Sequence, residues 1–236
     1  MFRPIVCVIY AVSILLTSPL SIVHASAEYG VDCSFPIHHE NHWSCGNLLG
    51  NRSQIYHNFM EGCHEYYRSK HQASRCDGTE ADRLEMSLRQ PQSMVNYTQT
   101  GYKKIRAPKR FYDLLLQHWN TNQGKKSQEQ WFVGNTYTNH WESPTFIVGV
   151  EDSKLRGGGS TLKKQLWDAV KETIEDWTGM EQEPTSMYGI REYTRNAMLS
   201  PHVDRLPLVS SCIVNVAQDV DEPWPLEIYD RQGKGM

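Results

Sequence analysis

The sequence predicts an α+β protein in which a small, disulfide-containing helical region precedes a domain of β-strands and buttressing helices. Four cysteines fall in residues 28–106, next to apolar residues at helical spacing. Residues 107–236 alternate amphipathic helices with short runs of β-branched residues, which favour strands. The hydrophobic fraction of 39% and charged fraction of 22% are typical of a globular protein with a core. A net charge of −3 argues against a nucleic-acid partner.

Residues 1–27 have the pattern of a secretory signal peptide. Arg3 supplies the positive amino-terminal region, Ile5–Leu16 is an apolar stretch too short to span a bilayer comfortably, and Ala25–Ala27 is a small-x-small cleavage site. We therefore expect a chain beginning near Glu28 in the ER lumen or outside the cell, with no stable membrane insertion. An uncleaved signal anchor is the alternative.

The cysteines of residues 28–106 predict two disulfides, because the secretory pathway is oxidising. Any of three pairings is possible among Cys33, Cys45, Cys63 and Cys76. A zinc site is the alternative, favoured by the histidines of the same segment: His38, His39, His42, His57, His64 and His71. No cysteine pair has the tight C-x₂-C spacing of zinc sites, so disulfides are preferred. Cys212 lies in an apolar run, which predicts a buried free thiol.

The same region contains two glycosylation acceptors and two helical patterns. Asn51 and Asn96 each begin an Asn-x-Ser/Thr tripeptide. Apolar spacing predicts helices over Gln54–Tyr67 and Thr79–Leu88. We expect this region to bind a peptide or to cap the domain that follows.

The middle of the chain predicts two further helices separated by a strand. Pro108 is placed to begin one helix. Thr145–Val150 is strand-like, and Ser160 is a candidate N-cap for a second helix that ends near Gly179. The apolar residues of each helix mark the face that is expected to be buried.

Residues Trp131–Glu142 mix polar and aromatic side chains. They are expected to form an ordinary surface loop, and a loop that reaches a pocket is the alternative. His140 within this loop is a weak candidate metal ligand.

The candidate site is the tripeptide His202-Val203-Asp204. At a strand end, residues i and i+2 share a face, so the imidazole and the carboxylate can reach one metal ion. A His/carboxylate pair of this kind with one distant histidine is the facial triad of non-haem Fe(II) oxygenases. Strand-like runs over Tyr188–Tyr193 and Leu208–Val216 flank the tripeptide, and Pro201 excludes a helix there.

The bare tripeptide is expected about once by chance in such a chain, so its surroundings decide the interpretation. His38-His39-Glu40 is a second match in the same chain.

With these strands in place, the segment Tyr188–Lys234 resembles the front half of the catalytic domain of prolyl 4-hydroxylase-like 2-oxoglutarate/Fe(II) dioxygenases. The resemblance implies a double-stranded β-helix (jelly roll), with His202 and Asp204 as iron ligands. Tyr193, nine residues before His202, would bind the distal carboxylate of 2-oxoglutarate. It also implies O₂ and ascorbate as further cofactors, and a proline-containing peptide or protein as substrate.

The chain departs from this family after the tripeptide. The family's second metal histidine and the basic residue that pairs with 2-oxoglutarate lie downstream, and no histidine follows Asp204 here. Only about three strands can be placed from Tyr188 onward, whereas a jelly roll has eight. We therefore expect residues 107–236 to be an incomplete, inactive dioxygenase domain. The alternative is a non-catalytic secreted or lumenal binding module derived from this family.

Four polar side chains flank the candidate site. Arg191 and Arg205 are expected to be solvated, although either is placed to steer carboxylates. Asn215 and Gln218 are expected to support the pocket behind the metal ligands.

Overall fold

The computed structural model describes residues 5–12, 52–205, 208–221, 226 and 228. Predictions that fall on Cys33, Cys45 and Asn51 lie outside these residues. Apart from a short 3-10 turn over Gln123–Lys125, the elements in chain order are β1 (Ile5–Val12), α1 (Arg52–Arg68), α2 (Ser74–Ser93), α3 (Lys109–Asn122), β2 (Ser127–Gln128), β3 (Thr145–Gly149), α4 (Ser160–Thr178), β4 (Glu183–Tyr193) and β5 (Ser210–Ala217).

Helices α1 and α2 form a hairpin that is closed by the Cys63–Cys76 disulfide. The apolar spacing of α1 buries Phe59 and Tyr67 together with both cysteines. Trp141 packs against this cluster from outside the hairpin. The structure thus confirms a disulfide within the predicted set.

Helices α3 and α4 pack on the sheet and form the main core. Leu115 and Leu166 are fully buried between the helices and strands, as the apolar spacing predicts. Gly179 takes the left-handed conformation (φ 67°) that ends α4, also as predicted. The prediction for the start of α4 is wrong. Gly159 (φ 104°) occupies the cap position without a side-chain cap bond, and Ser160 is the first helical residue.

The strands form a five-stranded sheet in the order β2-β3-β4-β1-β5, and all neighbouring strands are antiparallel. On β4 the side chains of Arg191 and Tyr193 share one face, because alternate residues of a strand point to the same side. Thr145 pairs with Tyr193, and Ile147 pairs with Arg191. This arrangement of helices and a small antiparallel sheet confirms the α+β class.

Strand β1 lies between β4 and β5 and pairs with both. Its residues belong to the apolar stretch of the predicted signal peptide. Signal cleavage concerns processing and stays a prediction. Removal of β1 would leave β5, and one edge of β4, without their ladder partner. Among the described residues, no helix has the length and apolarity needed to cross a membrane.

Candidate metal centre

The candidate metal ligands lie in the connection between β4 and β5. After Tyr193 ends β4, the chain turns at Asn196 (φ 63°) and continues without regular structure through His202 and Asp204. The His202 side chain is exposed and Asp204 is half-buried. The two residues therefore lie on an accessible loop, here called the metal loop (residues 196–205).

The imidazole of His202 is held in one tautomer. Its Nδ1 lies 2.7 Å from the backbone oxygen of Ser200. A carbonyl only accepts hydrogen bonds, so Nδ1 is the donor of this contact, and in the neutral form of the ring the lone pair lies on Nε2. The ring of Tyr137 meets the imidazole edge-on, with the ring centroids 5.4 Å apart. Nitrogen Nε2 is consequently the atom of His202 suited to a metal ion.

Residues 135–139 anchor one side of the metal loop. The backbone N–H of Ser200 donates to the Tyr137 oxygen (2.9 Å), and the Ser200 hydroxyl donates to the Thr136 oxygen (2.6 Å). Thr138 and Leu199 form an isolated antiparallel bridge. These bonds fix the residues that immediately precede His202.

Asn139 adds a second link between the two segments. Its amide donates to the Asn196 oxygen (2.9 Å), and its Oδ1 accepts from the Met198 N–H (2.7 Å). Asn139 is only 1% exposed. Asn135, Thr136 and Thr138 are buried as well. The expectation of an ordinary surface loop over Trp131–Glu142 is therefore wrong for residues 135–139, which pack against the metal loop.

His140 does not offer a metal ligand. Its Nδ1 donates to the Thr138 oxygen (3.3 Å), so its Nε2 accepts the Tyr67 hydroxyl (2.9 Å). Burial lowers the pKa of His140, which keeps the ring neutral. Both ring nitrogens are therefore occupied: Nε2 holds the loop against α1, and Nδ1 bonds within the loop.

Helix α2 anchors the other side of the metal loop through Arg83. This side chain is buried, and its Nε and NH2 donate to the two carboxylate oxygens of Glu80 at 2.9 and 2.7 Å. Its NH1 donates to the backbone oxygen of Pro201. Burial, together with the nearby Glu80, raises the pKa of Tyr56 on α1. A buried polar group therefore joins the helical hairpin to the residue before His202.

Tyr193, the predicted 2-oxoglutarate ligand, is 1% exposed. Its hydroxyl accepts a 3.4 Å hydrogen bond from Arg191 NH1. Burial raises the pKa of Tyr193, and the guanidinium of Arg191 opposes this only in part. Tyr193 is therefore a neutral phenol at physiological pH.

The expectation that Arg191 is solvated is wrong. Its side chain is 18% exposed and forms a fork with Glu129, with Nε–Oε2 and NH2–Oε1 distances of 2.7 and 2.8 Å. The Thr145 hydroxyl donates to the same carboxylate (2.6 Å), and Trp131 lies 5.2 Å from the guanidinium carbon. Burial alone would lower the pKa of Arg191. The hydrogen bonds and charge of Glu129 raise the pKa by more than burial lowers it, so the side chain stays charged. Arg205, in contrast, is exposed as expected.

The donor set fits part of an Fe(II) site. Imidazole nitrogen and carboxylate oxygen are ligands that Fe(II) accepts, and His202 and Asp204 supply one of each. Over the residues that the structure describes, no group of three histidine, cysteine or acidic side chains is arranged to hold a metal ion. Asn215 and Gln218 are exposed and hydrogen-bonded to each other (3.2 Å), and their predicted support of the pocket stays a prediction.

Comparisons with known proteins identify no relative: no protein-family model, no curated protein and no solved structure matches the chain. The functional argument therefore depends on the residues themselves.

Three residues of the site were missed by sequence reasoning. Tyr137 and Asn139 fall in the polar and aromatic segment Trp131–Glu142, but no sequence pattern there indicates contacts with residues 196–202. Arg83 occupies a position in α2 that looks like an ordinary charged helix surface. The ion pair that buries it involves its i−3 neighbour, Glu80, which is a spacing common on exposed helices.

Proposed function

We propose that the protein is a 2-oxoglutarate- and Fe(II)-dependent dioxygenase of the prolyl 4-hydroxylase type, acting on peptidyl proline in the secretory pathway. One observation carries the proposal. His202 presents its Nε2 lone pair two residues from the Asp204 carboxylate, on a loop fixed from both sides. In this proposal, β3, β4 and β5 are strands of a jelly roll.

Under this proposal His202 and Asp204 would hold Fe(II), and ascorbate would keep the iron reduced. The iron would supply the oxygen chemistry that converts 2-oxoglutarate, O₂ and a C–H bond to succinate, CO₂ and a hydroxyl group. The protein's part is to fix the two ligands before iron arrives. The Ser200 carbonyl sets the His202 tautomer, and residues 135–139 set the path of the backbone. Ligands held in this way lose little freedom on binding a metal.

Tyr193 is proposed to donate its hydroxyl hydrogen to the distal carboxylate of 2-oxoglutarate. Its raised pKa keeps this hydrogen in place at physiological pH, and the bond from Arg191 polarises the phenol. Glu129 neutralises Arg191, so the surroundings of Tyr193 hold no uncompensated cation from this pair. In this arrangement Tyr193 provides the hydrogen bond, whereas Arg191 orients Tyr193.

The Cys63–Cys76 disulfide is compatible with a secreted or lumenal protein, because such bonds persist in oxidising compartments. We propose that the protein works in the ER lumen or after secretion, where proline-containing chains pass. Amino-terminal sequencing of the mature protein tests this placement, with a start near Glu28 expected.

Succinate formation from 2-oxoglutarate by the purified protein tests the activity. His202→Ala and Asp204→Ala are expected to abolish Fe(II)-dependent turnover while leaving secretion intact. His57→Gln, which changes an exposed histidine of α1, is the matched control and should retain full turnover. Undiminished succinate formation by either ligand variant would overturn the proposal. A secreted wild-type protein without turnover would favour the binding module.

A further inference from the structure

We infer that Arg83 of α2 is a positioning residue for the metal loop, and that the disulfide-closed hairpin is thereby part of the candidate metal centre. This inference rests on the proposed function, because it concerns the geometry of the proposed iron ligands. It assigns a role to a residue that lies 118 positions before its partner Pro201 in the chain.

The burial of Arg83 is unusual for an ion pair of this spacing. Pairs three or four residues apart on a helix ordinarily lie in solvent, where neither partner loses its hydration. The side chains of Arg83 and Glu80 are only 0% and 5% exposed. Removing both charges from water costs several kcal/mol per ion, so every donor needs a partner. The bond to Pro201 is one that the helix itself cannot supply.

The accepting atom explains why this bond matters for His202. The carbonyl oxygen of Pro201 belongs to the peptide plane that also contains the nitrogen and Cα of His202. A charge-assisted bond to that oxygen fixes the rotation of the plane. It therefore fixes the direction in which His202 leaves the backbone. The Ser200 carbonyl then fixes the ring itself. The two contacts act on successive torsions of the same ligand.

Arg83 also acts on the same neighbouring side chain, Tyr137, as Asp204, the second candidate metal ligand. The charges of Arg83, Glu80, Asp82 and Asp204 all act on the Tyr137 hydroxyl. Arg83 and Asp204 therefore lie in the neighbourhood of one phenol, and that phenol's ring meets His202. The cation of α2 and the carboxylate of the metal loop consequently belong to one polar group.

The test compares Arg83→Met with Arg89→Met in isotope-labelled chain. Arg89 lies on the same helix and pairs with Glu85 in solvent, at side-chain exposures of 69% and 65%, so it is a matched control. Long-range imidazole NMR spectra report the His202 tautomer, and amide exchange reports the order of residues 199–205. The buried His118 ring reports that the fold is intact.

We expect Arg83→Met to lose the single Nδ1–H tautomer of His202 and to speed amide exchange at Val203 and Asp204 by at least tenfold. Arg89→Met should leave both unchanged. Electron paramagnetic resonance of free Mn(II) should show affinity weakened about tenfold or more in Arg83→Met, as for other residues that orient metal ligands. Arg83→Lys, which keeps a cationic donor but loses the two-bond fork to Glu80, should be intermediate.

An unchanged His202 tautomer and unchanged exchange in Arg83→Met would overturn the inference. If Arg83→Met fails to fold, wild-type values in Arg83→Lys would overturn it equally. Failure of the proposed function has a different signature. In that case wild-type protein and the Asp204→Ala variant would bind Mn(II) equally. The tautomer and exchange measurements would still decide the role of Arg83.

Discussion

Replacing Arg191 with methionine removes the cation that neutralises Glu129. The Glu129 carboxylate would lose its two hydrogen bonds from Arg191, at 2.7 and 2.8 Å, and keep the bond from the Thr145 hydroxyl (2.6 Å). Breaking a buried ion pair in this way costs about 3–5 kcal/mol. Because the two side chains are still 18% and 13% exposed, we expect a loss near the lower limit, about 3 kcal/mol.

Urea unfolding followed by tryptophan fluorescence and far-UV circular dichroism measures this loss. Lys109→Met is the control, since Lys109 and Asp113 form a solvent-exposed pair at 88% and 53% exposure and should lose at most about 0.5 kcal/mol. The double variant Arg191→Met/Glu129→Gln has no buried charge at this pair. It should be at least about 1 kcal/mol more stable than Arg191→Met alone. An Arg191→Met variant no less stable than the Lys109 control would refute the reasoning.

Three further predictions concern buried titratable and cysteine residues. Burial lowers the pKa of His118 and His140, so the unfolded chain binds more protons than the folded chain below about pH 6.5. The free energy of unfolding should therefore fall on acidification from pH 7 to pH 5, by up to about 1.4 kcal/mol per pH unit for each histidine. Urea titrations over a pH series measure this fall, which should be smaller in His118→Gln. Burial raises the pKa of Cys212 to about 12, so at pH 8 the folded chain holds about a thousandfold less thiolate there than an ordinary thiol does. Peptide mapping after iodoacetamide should show slow labelling of Cys212 that urea accelerates, and rapid labelling of folded protein would contradict its burial. The Cys63→Ser/Cys76→Ser variant opens a cross-link that spans 13 residues and should lose about 3 kcal/mol in urea unfolding, and an unchanged midpoint would contradict a structural role for the bond.

Local patterns predicted the helices and the strands on either side of the candidate ligands. The expectation that His202 and Asp204 lie at a strand end was wrong, because the structure places both in an irregular loop. Leu166 and its apolar neighbours define the buried face of α4, and Gly179 ends that helix because glycine accepts a positive φ. The strand before His202 and the break at Pro201 follow equally from residue type. Such features depend on residues a few positions apart.

Long-range partners were beyond the reach of the sequence. Glu129 pairs with Arg191 62 positions later, and Arg83 reaches Pro201 118 positions later. In the sequence, a charged residue such as Arg191 or Arg83 is indistinguishable from a solvated one, because its partner lies far away in the chain. The prediction that Arg191 is exposed was therefore wrong. The apolar run Ile5–Val12 satisfies a signal peptide and a central strand equally well, since both require only hydrophobic residues.

The central claim is that His202 and Asp204 bind the same metal ion. Mn(II) added at submillimolar concentration to the labelled chain tests it, because the ion broadens the NMR signals of the groups it touches. The account predicts selective broadening of the His202 ring and the Asp204 carboxylate, with the Asp204→Asn variant losing the effect at His202. Uniform broadening of exposed histidines such as His57, unaffected by that substitution, would contradict the claim.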